Sequence, residues 1–157
     1  MRRSNREITD VGAIERFIAK QHIIRIGLYD NGEIYIVPVN YGYEYRNGVF
    51  TFYFHGARAG RKYGLAKANP CVGFEIDGEY RPLLSDNPCA CSACFQSVIG
   101  SGRLSLVDGN EDKIKGLDRI MYQLTGKSEH TYSKEMLASV AVFRLEATQL
   151  SCKAKLG

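Results

Sequence analysis

The chain has 157 residues, of which 45% are hydrophobic and 24% are charged. This size and balance are typical of one globular domain with its own core, so we expect a single domain over residues 1–157. The formal charge of +4 is small and spread along the chain, which argues against a nucleic-acid-binding arm. We interpret the early arginines Arg2, Arg3 and Arg6 as a solvated tail.

The composition also bears on the cellular compartment. No stretch approaches the roughly 20 apolar residues that a membrane helix needs, and no signal-peptide apolar segment follows the first arginines. We therefore expect a cytoplasmic protein without a membrane contact. The five cysteines are an odd number, and a reducing compartment keeps thiols free, so disulfides are not expected to stabilise the fold.

Hydrophobic periodicity and turn residues predict the following elements. They are, in chain order, a helix capped by Thr9 or Asp10, strands over 23–28, 33–43 and 49–55, a short helix ended by Asn69-Pro70, strands over 71–76 and 96–107, a helix over 110–125 and a strand over 139–145. Asn31-Gly32 and Asn47-Gly48 tolerate the positive φ of tight hairpin turns. Pro38 cannot donate a ladder hydrogen bond, and it therefore marks a bulge or an edge strand.

Three further segments complete this prediction. Residues 77–94 are rich in Pro, Asp, Ser and Cys, which favours a long loop. The third helix is expected to bury the face that carries Ile114, Leu117, Met121 and Leu124. Residues after 145 are expected to form a frayed tail.

The order of these elements predicts the fold class. Six strands linked mostly by hairpins, with helices inserted between them, indicate a mainly β, α+β protein built on a six-stranded antiparallel barrel. A βαβ sheet is not favoured. Closing the barrel would remove the exposed edges that isolated strands leave unpaired.

The segment from Tyr53 to Lys62 is the most informative for function, because a strand end leads through small residues and cations into a helix start. Free backbone N–H groups and the helix dipole attract an anion there, and Arg61 and Lys62 add positive charge. The segment thus predicts a phosphate site. Alternatively, Arg58, Arg61 and Lys62 form a solvated helix face and the glycines only serve a turn.

Several motifs occur in order along the chain. They are Ile36-Val37-Pro38-Val39-Asn40-Tyr41-Gly42-Tyr43, Phe52-Tyr53-Phe54-His55-Gly56-Ala57, Lys62, Asn69-Pro70 and Ser97-Val98-Ile99-Gly100-Ser101-Gly102. Together they resemble the pyridoxamine 5'-phosphate oxidase-like FMN-binding split barrels, and within that group the nitroimidazole-resistance branch. The resemblance covers nearly the whole chain. It implies a homodimer with two FMN molecules in clefts at the subunit interface.

The resemblance also implies which residues contact FMN. They are Val37, Pro38, Val39 and Asn40 along the isoalloxazine ring, His55 and Gly56 beside the ring and the phosphate arm, Arg61 and Lys62 at the phosphate, and Ser97 from the other subunit. His55 can also contact substrate or transfer a proton near neutral pH, since an unperturbed imidazole titrates around 6.5. A structural histidine at a strand end is the alternative.

The implied function is an FMN-dependent oxidoreductase that reduces a small nitroaromatic or related molecule with a reduced nicotinamide donor, NAD(P)H. One alternative is a flavin-binding or redox-sensing module without turnover. Another is activity of the pyridoxamine-phosphate oxidase type, although the chain ends before that enzyme's C-terminal substrate segment. A nucleic-acid-binding barrel is a weaker reading, because no concentrated basic stripe is present.

Cys89, Cys91 and Cys94 place three thiols within six residues. Such a cluster can capture a soft metal or act as a redox relay. A closed zinc site needs a fourth ligand, and neither His55 nor His130 has conventional spacing from the cluster, so no metal is expected. A variable loop with reduced thiols is the favoured interpretation.

Overall fold

The computed structural model describes residues 4–128 and 130–156, so Arg2 and Arg3 of the predicted tail lie outside it. The strands are β1 (Glu7–Ile8), β2 (Ile23–Asp30), β3 (Glu33–Asn40), β4 (Gly42–Arg46), β5 (Val49–Ala57), β6 (Cys71–Leu83), β7 (Ser92–Leu106) and β8 (Val140–Lys155). The helices are α1 (Val11–Lys20), α2 (Arg61–Ala68), α3 (Asn110–Thr125) and α4 (Lys134–Ser139). No helix within these residues is long and apolar enough to cross a bilayer.

All strands belong to one antiparallel sheet in the order β3-β2-β6-β7-β8-β5-β4, and β1 pairs with β8. The two ends of this order, β3 and β4, follow one another in the chain and are separated by Tyr41 alone. The sheet must therefore curl until its ends meet. Within the described residues no ladder joins β3 to β4, so the barrel is split along this line.

The fold class is confirmed, but the sheet has eight strands rather than the six predicted. The predicted strand over 33–43 is broken at Tyr41, whose buried ring turns inward and whose hydroxyl donates to the Ile18 carbonyl at 2.6 Å. The two-residue β1 is too short to show any periodicity.

Gly42 lets α3 approach β4 closely, because a Cβ atom at this position would lie 2.1 Å from the Arg119 backbone.

The prediction of a long loop over 77–94 is wrong. β6 continues to Leu83 and β7 begins at Ser92, so that only residues 84–91 connect them. A register shift between Gly78 and Arg81 accommodates the irregular sequence, and Glu79 within it has a φ of +56°. A bulge of this kind carries a strand through residues that propensity alone assigns to a loop.

The prediction of a frayed tail after residue 145 is also wrong. β8 runs to Lys155 and pairs with both β7 and β1. Its second half buries the small side chains of Cys152 and Ala154. Alternation of such small residues with polar ones is a weak hydrophobic signal, and this is why the sequence pattern did not indicate a strand.

The helices follow the predictions more closely. Asp10, rather than Thr9, caps α1 by accepting a hydrogen bond from the Ala13 amide at 2.7 Å. α3 has the predicted bounds, but its buried residues are Gly116, Leu117 and Ile120, while Leu124 is 58% exposed. The 16-residue helix therefore packs along a narrower stripe than its apolar residues indicate.

Candidate functional site

The junction between β5 and α2 leaves the start of a helix without a side-chain cap. β5 ends at Ala57, and α2 begins at Arg61 after Gly60, which has a φ of +94° and cannot offer a capping oxygen. The first amides of a helix have no partner within the helix, and they carry the positive end of its dipole. An anion is the natural acceptor for these groups.

Lys62 lies in the first turn of α2 and is half-buried. Its Nζ atom sits 5.6 Å from the ring centroid of Phe54 and 5.4 Å from that of Phe143. No carboxylate within residues 4–128 and 130–156 lies within salt-bridge distance of it. Burial lowers the pKa of this amine below its ordinary value. A partly desolvated cation without a counterion is costly, and an added anion would relieve that cost.

Gly56 leaves room for this ammonium group because it has no side chain. A Cβ atom built on Gly56 would lie 2.9 Å from Nζ and 3.2 Å from Cε of Lys62. The neighbouring His55 is exposed and pairs with Val142 of β8. Its pKa is lowered, first by partial desolvation and then by the positive charge of Lys62. The imidazole is therefore mainly neutral near neutral pH, when it can donate from one nitrogen and accept at the other.

The two other cations of this segment are already engaged. Arg58 donates to the Ala138 carbonyl at 2.9 Å, near the end of α4. Arg61 donates from Nε to Oδ2 of Asp30 at 2.7 Å, and its guanidinium lies 4.5 Å above the ring of Tyr35. Asp30 directly precedes the predicted Asn31-Gly32 turn, and no signal in the local sequence connects it with Arg61.

β3 supplies the predicted ring-lining residues at the edge of the sheet. Val37 and Val39 pack against the core, while Pro38 and Asn40 are exposed. Pro38 pairs with Arg25 without a register shift, so the edge interpretation is confirmed and the bulge is not found. β3 also contacts β5 without pairing with it. The unpaired backbone edge of β3 thus lies toward the strand that carries His55 and Gly56.

Ser97 is not brought to this place within one chain. It lies on β7 opposite Lys153 of β8, in a shallow groove of about 320 Å³ that Ile99 and Ser151 also line. His55 pairs with Val142, which is eleven positions before Lys153 on the same strand. At about 3.3 Å per residue, roughly 35 Å of strand separates the two places.

The structure separates the three clustered cysteines. Cys89 and Cys91 are exposed in the connection between β6 and β7, whereas Cys94 is buried within β7. The Cys94 sulfur accepts a hydrogen bond from the Arg81 guanidinium at 3.2 Å. In the part of the chain that the structure describes, no three His, Cys, Asp or Glu side chains are grouped to hold a metal ion.

An antiparallel sheet that curls until its ends meet, and that within the described residues is split between β3 and β4, defines a protein of the split-barrel class. The sequence model of the pyridoxamine 5'-phosphate oxidase family matches residues 10–154, and the chain belongs to this family.

Solved structures of other proteins share this fold. A candidate 5-nitroimidazole antibiotic resistance protein from Bacteroides thetaiotaomicron is 27% identical, with a TM-score of 0.81 over 94% of this chain and 86% of that one. A flavocytochrome from Azotobacter vinelandii is 20% identical, with a TM-score of 0.80 over 100% and 72%. A FAD-binding protein from Mesorhizobium loti is 18% identical, with a TM-score of 0.65 over 96% and 98%. No protein of curated function matches the chain.

Proposed function

We propose that this protein binds FMN by its phosphate at the start of α2 and uses the flavin to reduce a small molecule. The observation that carries the proposal is the half-buried Lys62 ammonium, which has no carboxylate partner in the described residues and lies beside an uncapped helix start. A phosphate there would accept from the free amides and neutralise the cation. The FAD-binding protein among the structural relatives supports a flavin as the ligand, and the choice of FMN is part of the proposal.

The charges around α2 favour FMN over FAD. Lys62 and the helix start offer one place for one phosphate. Beyond Arg61, the β2–β3 hairpin presents the carboxylates of Asp30 and Glu33, which lie 2.7 Å and 3.7 Å from the Arg61 guanidinium. A second phosphate placed on that side would meet these carboxylates, and like charges repel.

The edge of β3 is suited to the flavin ring. The unpaired edge of β3 faces β5, and a flat ring can lie there against the peptide groups of Val37, Pro38, Val39 and Asn40. FMN supplies hydride or single-electron transfer when bound, and the protein supplies binding and orientation. His55, neutral and exposed beside Lys62, is placed to exchange a proton with a substrate lying on the ring.

The proposed substrate class is supported by the Bacteroides relative, a candidate 5-nitroimidazole antibiotic resistance protein, and the electron donor is proposed from the resemblance alone. We propose reduction of a small nitroaromatic or related molecule by NAD(P)H. Two other outcomes are a flavoprotein without turnover and oxidation of a phosphorylated amine, as in the enzyme that gives the family its name. If the protein consumes NAD(P)H only when a nitroaromatic acceptor is present, nitroaromatic reduction is favoured over the two other functions.

We further propose that the protein acts as a homodimer in which Ser97 of one subunit faces the flavin of the other. The β8 partners of His55 and Ser97, Val142 and Lys153, are eleven positions apart, so the proposal takes Ser97 from a second copy. The outer faces of β3 and β7 expose Ile34, Ile36 and Ile99 by 65%, 62% and 52%. Ile34 and Ile36 lie on the same face of β3, and neighbouring exposed apolar groups support a surface that another protein covers more than single ones do.

The visible spectrum of the purified protein, with identification of the ligand released on denaturation, tests the proposal. We expect a yellow protein that releases FMN. Lys62→Ala should weaken FMN affinity about tenfold or more, because a charge-assisted contact contributes about 1.5–3 kcal/mol. Lys67→Ala is the matched control, since Lys67 lies on the same helix but is exposed. Equal affinity of the two variants would refute the phosphate assignment.

A further inference from the structure

Two adjacent cations at the start of α2 are directed to different parts of the molecule. Lys62 lies against Phe54 and Phe143 of the barrel, on the side of Gly56. Arg61 lies against the β2–β3 hairpin, where its guanidinium contacts Asp30 and Tyr35. Consecutive helical residues differ in direction by about 100°, so both side chains cannot face one small ligand without a change of rotamer.

The contacts of Arg61 are specific. Nε and Nη2 both lie 2.7 Å from Oδ2 of Asp30, and Nη2 lies 3.7 Å from Oε2 of Glu33. Tyr35 closes one face of the guanidinium. Charge-assisted pairs with stacking are among the stronger polar contacts at a protein surface.

The acceptor is held by the hairpin. Asp30 ends β2 and pairs in register with Glu33, across a turn in which Asn31 and Gly32 have φ values of +48° and +98°. This turn and ladder fix where the Asp30 carboxylate lies. The pair with Arg61 therefore joins the start of α2 to a rigid point of the sheet.

The start of α2 has few other means of being held. Ala66 and the partly buried Tyr63 and Leu65 pack the rest of this eight-residue helix against the core, but Gly60 provides no side-chain cap. A helix this short depends on tertiary contacts for its stability. The Arg61–Asp30 pair supplies such a contact within the first turn, one residue from Lys62.

From these contacts we infer that Arg61 is a positioning residue that fixes the start of α2 through Asp30, and that Lys62 alone makes the side-chain charge contact with the phosphate. The inference rests on the proposed function. It differs from the expectation that both cations bind the phosphate. It also assigns to Asp30, a hairpin residue 31 positions away in sequence, a role in the affinity for FMN.

A double-mutant cycle on FMN affinity, followed by flavin fluorescence, tests the inference. Asp30→Asn, Arg61→Met and the double variant should each weaken binding by about three- to tenfold, since the pair is partly exposed. The double variant should bind FMN no less tightly than the single variant of lower affinity, because all three variants lose the same contact. Glu33→Gln is the matched control for charge, because it removes a carboxylate beside Arg61 that lies beyond hydrogen-bond distance.

Salt dependence separates a positioning residue from a ligand. The dependence of FMN affinity on ionic strength reports the net charge that acts on the phosphate, and an Arg61–Asp30 pair contributes little net charge there. The double variant Asp30→Asn/Arg61→Met should therefore keep the wild-type dependence, whereas Lys62→Ala should flatten it. The inference is overturned if the double variant flattens the dependence as Lys62→Ala does, or if Asp30→Asn binds FMN more tightly than Glu33→Gln does. In either case Arg61 contacts the phosphate.

The same variants distinguish failure of this inference from failure of the proposed function. A wild-type protein without FMN affinity refutes the proposed function and the phosphate role of Lys62 with it. Thermal unfolding of the protein without ligand tests the anchoring role of Arg61 separately. Equal and non-additive losses for Asp30→Asn and Arg61→Met support the anchor, and additive losses refute it.

Discussion

The ammonium of Lys62 occupies the space that a side chain on Gly56 would need, since Nζ lies 2.9 Å from the position of a Cβ atom there. Gly56→Ala is therefore expected to displace Lys62 and weaken FMN binding by about tenfold, close to the loss of one charge-assisted contact. The fold should persist, because the displaced atoms are the end of a flexible side chain. Titration with FMN and thermal unfolding measure the two effects.

Gly64→Ala is the control for Gly56→Ala. Gly64 lies within α2 with open space around its Cβ position. The variant should leave FMN affinity unchanged and stabilise the helix by about 0.5–1 kcal/mol. An effect of Gly56→Ala on FMN affinity no larger than that of Gly64→Ala would show that the Gly56–Lys62 contact is not part of the binding site.

The pKa of His55 predicts how stability depends on pH. Because desolvation and Lys62 lower this pKa in the folded protein, the unfolded chain binds a proton more readily, and stability should decrease as pH falls below about 6.5. His55→Gln should reduce this loss. Denaturation midpoints determined from about pH 8 down to about pH 5 measure this loss of stability, with His22→Gln as the control variant. Equal pH profiles for His55→Gln and the wild type would contradict the prediction.

Glu33 is expected to influence the choice between flavins. The wild type should bind FMN more tightly than FAD, because the carboxylates of Asp30 and Glu33 oppose a second phosphate. Glu33→Gln should raise FAD affinity a few-fold and leave FMN affinity nearly unchanged, as expected for one partly screened charge. Parallel titrations with both flavins measure this. Equal changes for both flavins would place Glu33 outside the region that selects the ligand.

Gly42→Ala is expected to be strongly destabilising. The added Cβ would lie 2.1 Å from the backbone carbonyl atoms of Arg119, and a helix backbone cannot move aside as a side-chain end can. α3 would have to shift from β4, at a cost of about 3 kcal/mol or more. Chemical denaturation measures the loss. Gly73→Ala, on an open part of β6 with its nearest atom at 3.9 Å, is the control and should change stability by less than about 1 kcal/mol.

Local signals predicted much of the fold. The turns at Asn31-Gly32 and Asn47-Gly48 and the bounds of α3 could be predicted because each depends on neighbouring residues. The second half of β8 could not, because Cys152 and Ala154 are small and their burial depends on β7 and β1. Non-local pairing decides the structure there.

The site divides in the same way. The sequence around Lys62 indicates an anion site because the strand end, the glycines and the helix start are contiguous. The engagement of Arg61 by Asp30 could not be predicted, since the hairpin brings together residues 31 positions apart. The wide separation of Ser97 from His55 likewise becomes visible only when both are placed on β8 through their pairing partners.

The pairing of Glu7 with Lys153 has a consequence for biosynthesis. The second half of β8 can join β1 and β7 only after residues near position 155 have left the ribosome, although most of the other strands are made much earlier. Such long-range closure slows folding and leaves unpaired strand edges exposed in the meantime. Until β8 has been made, the edges of β5 and β7 that it will cover stay open to pairing with other chains.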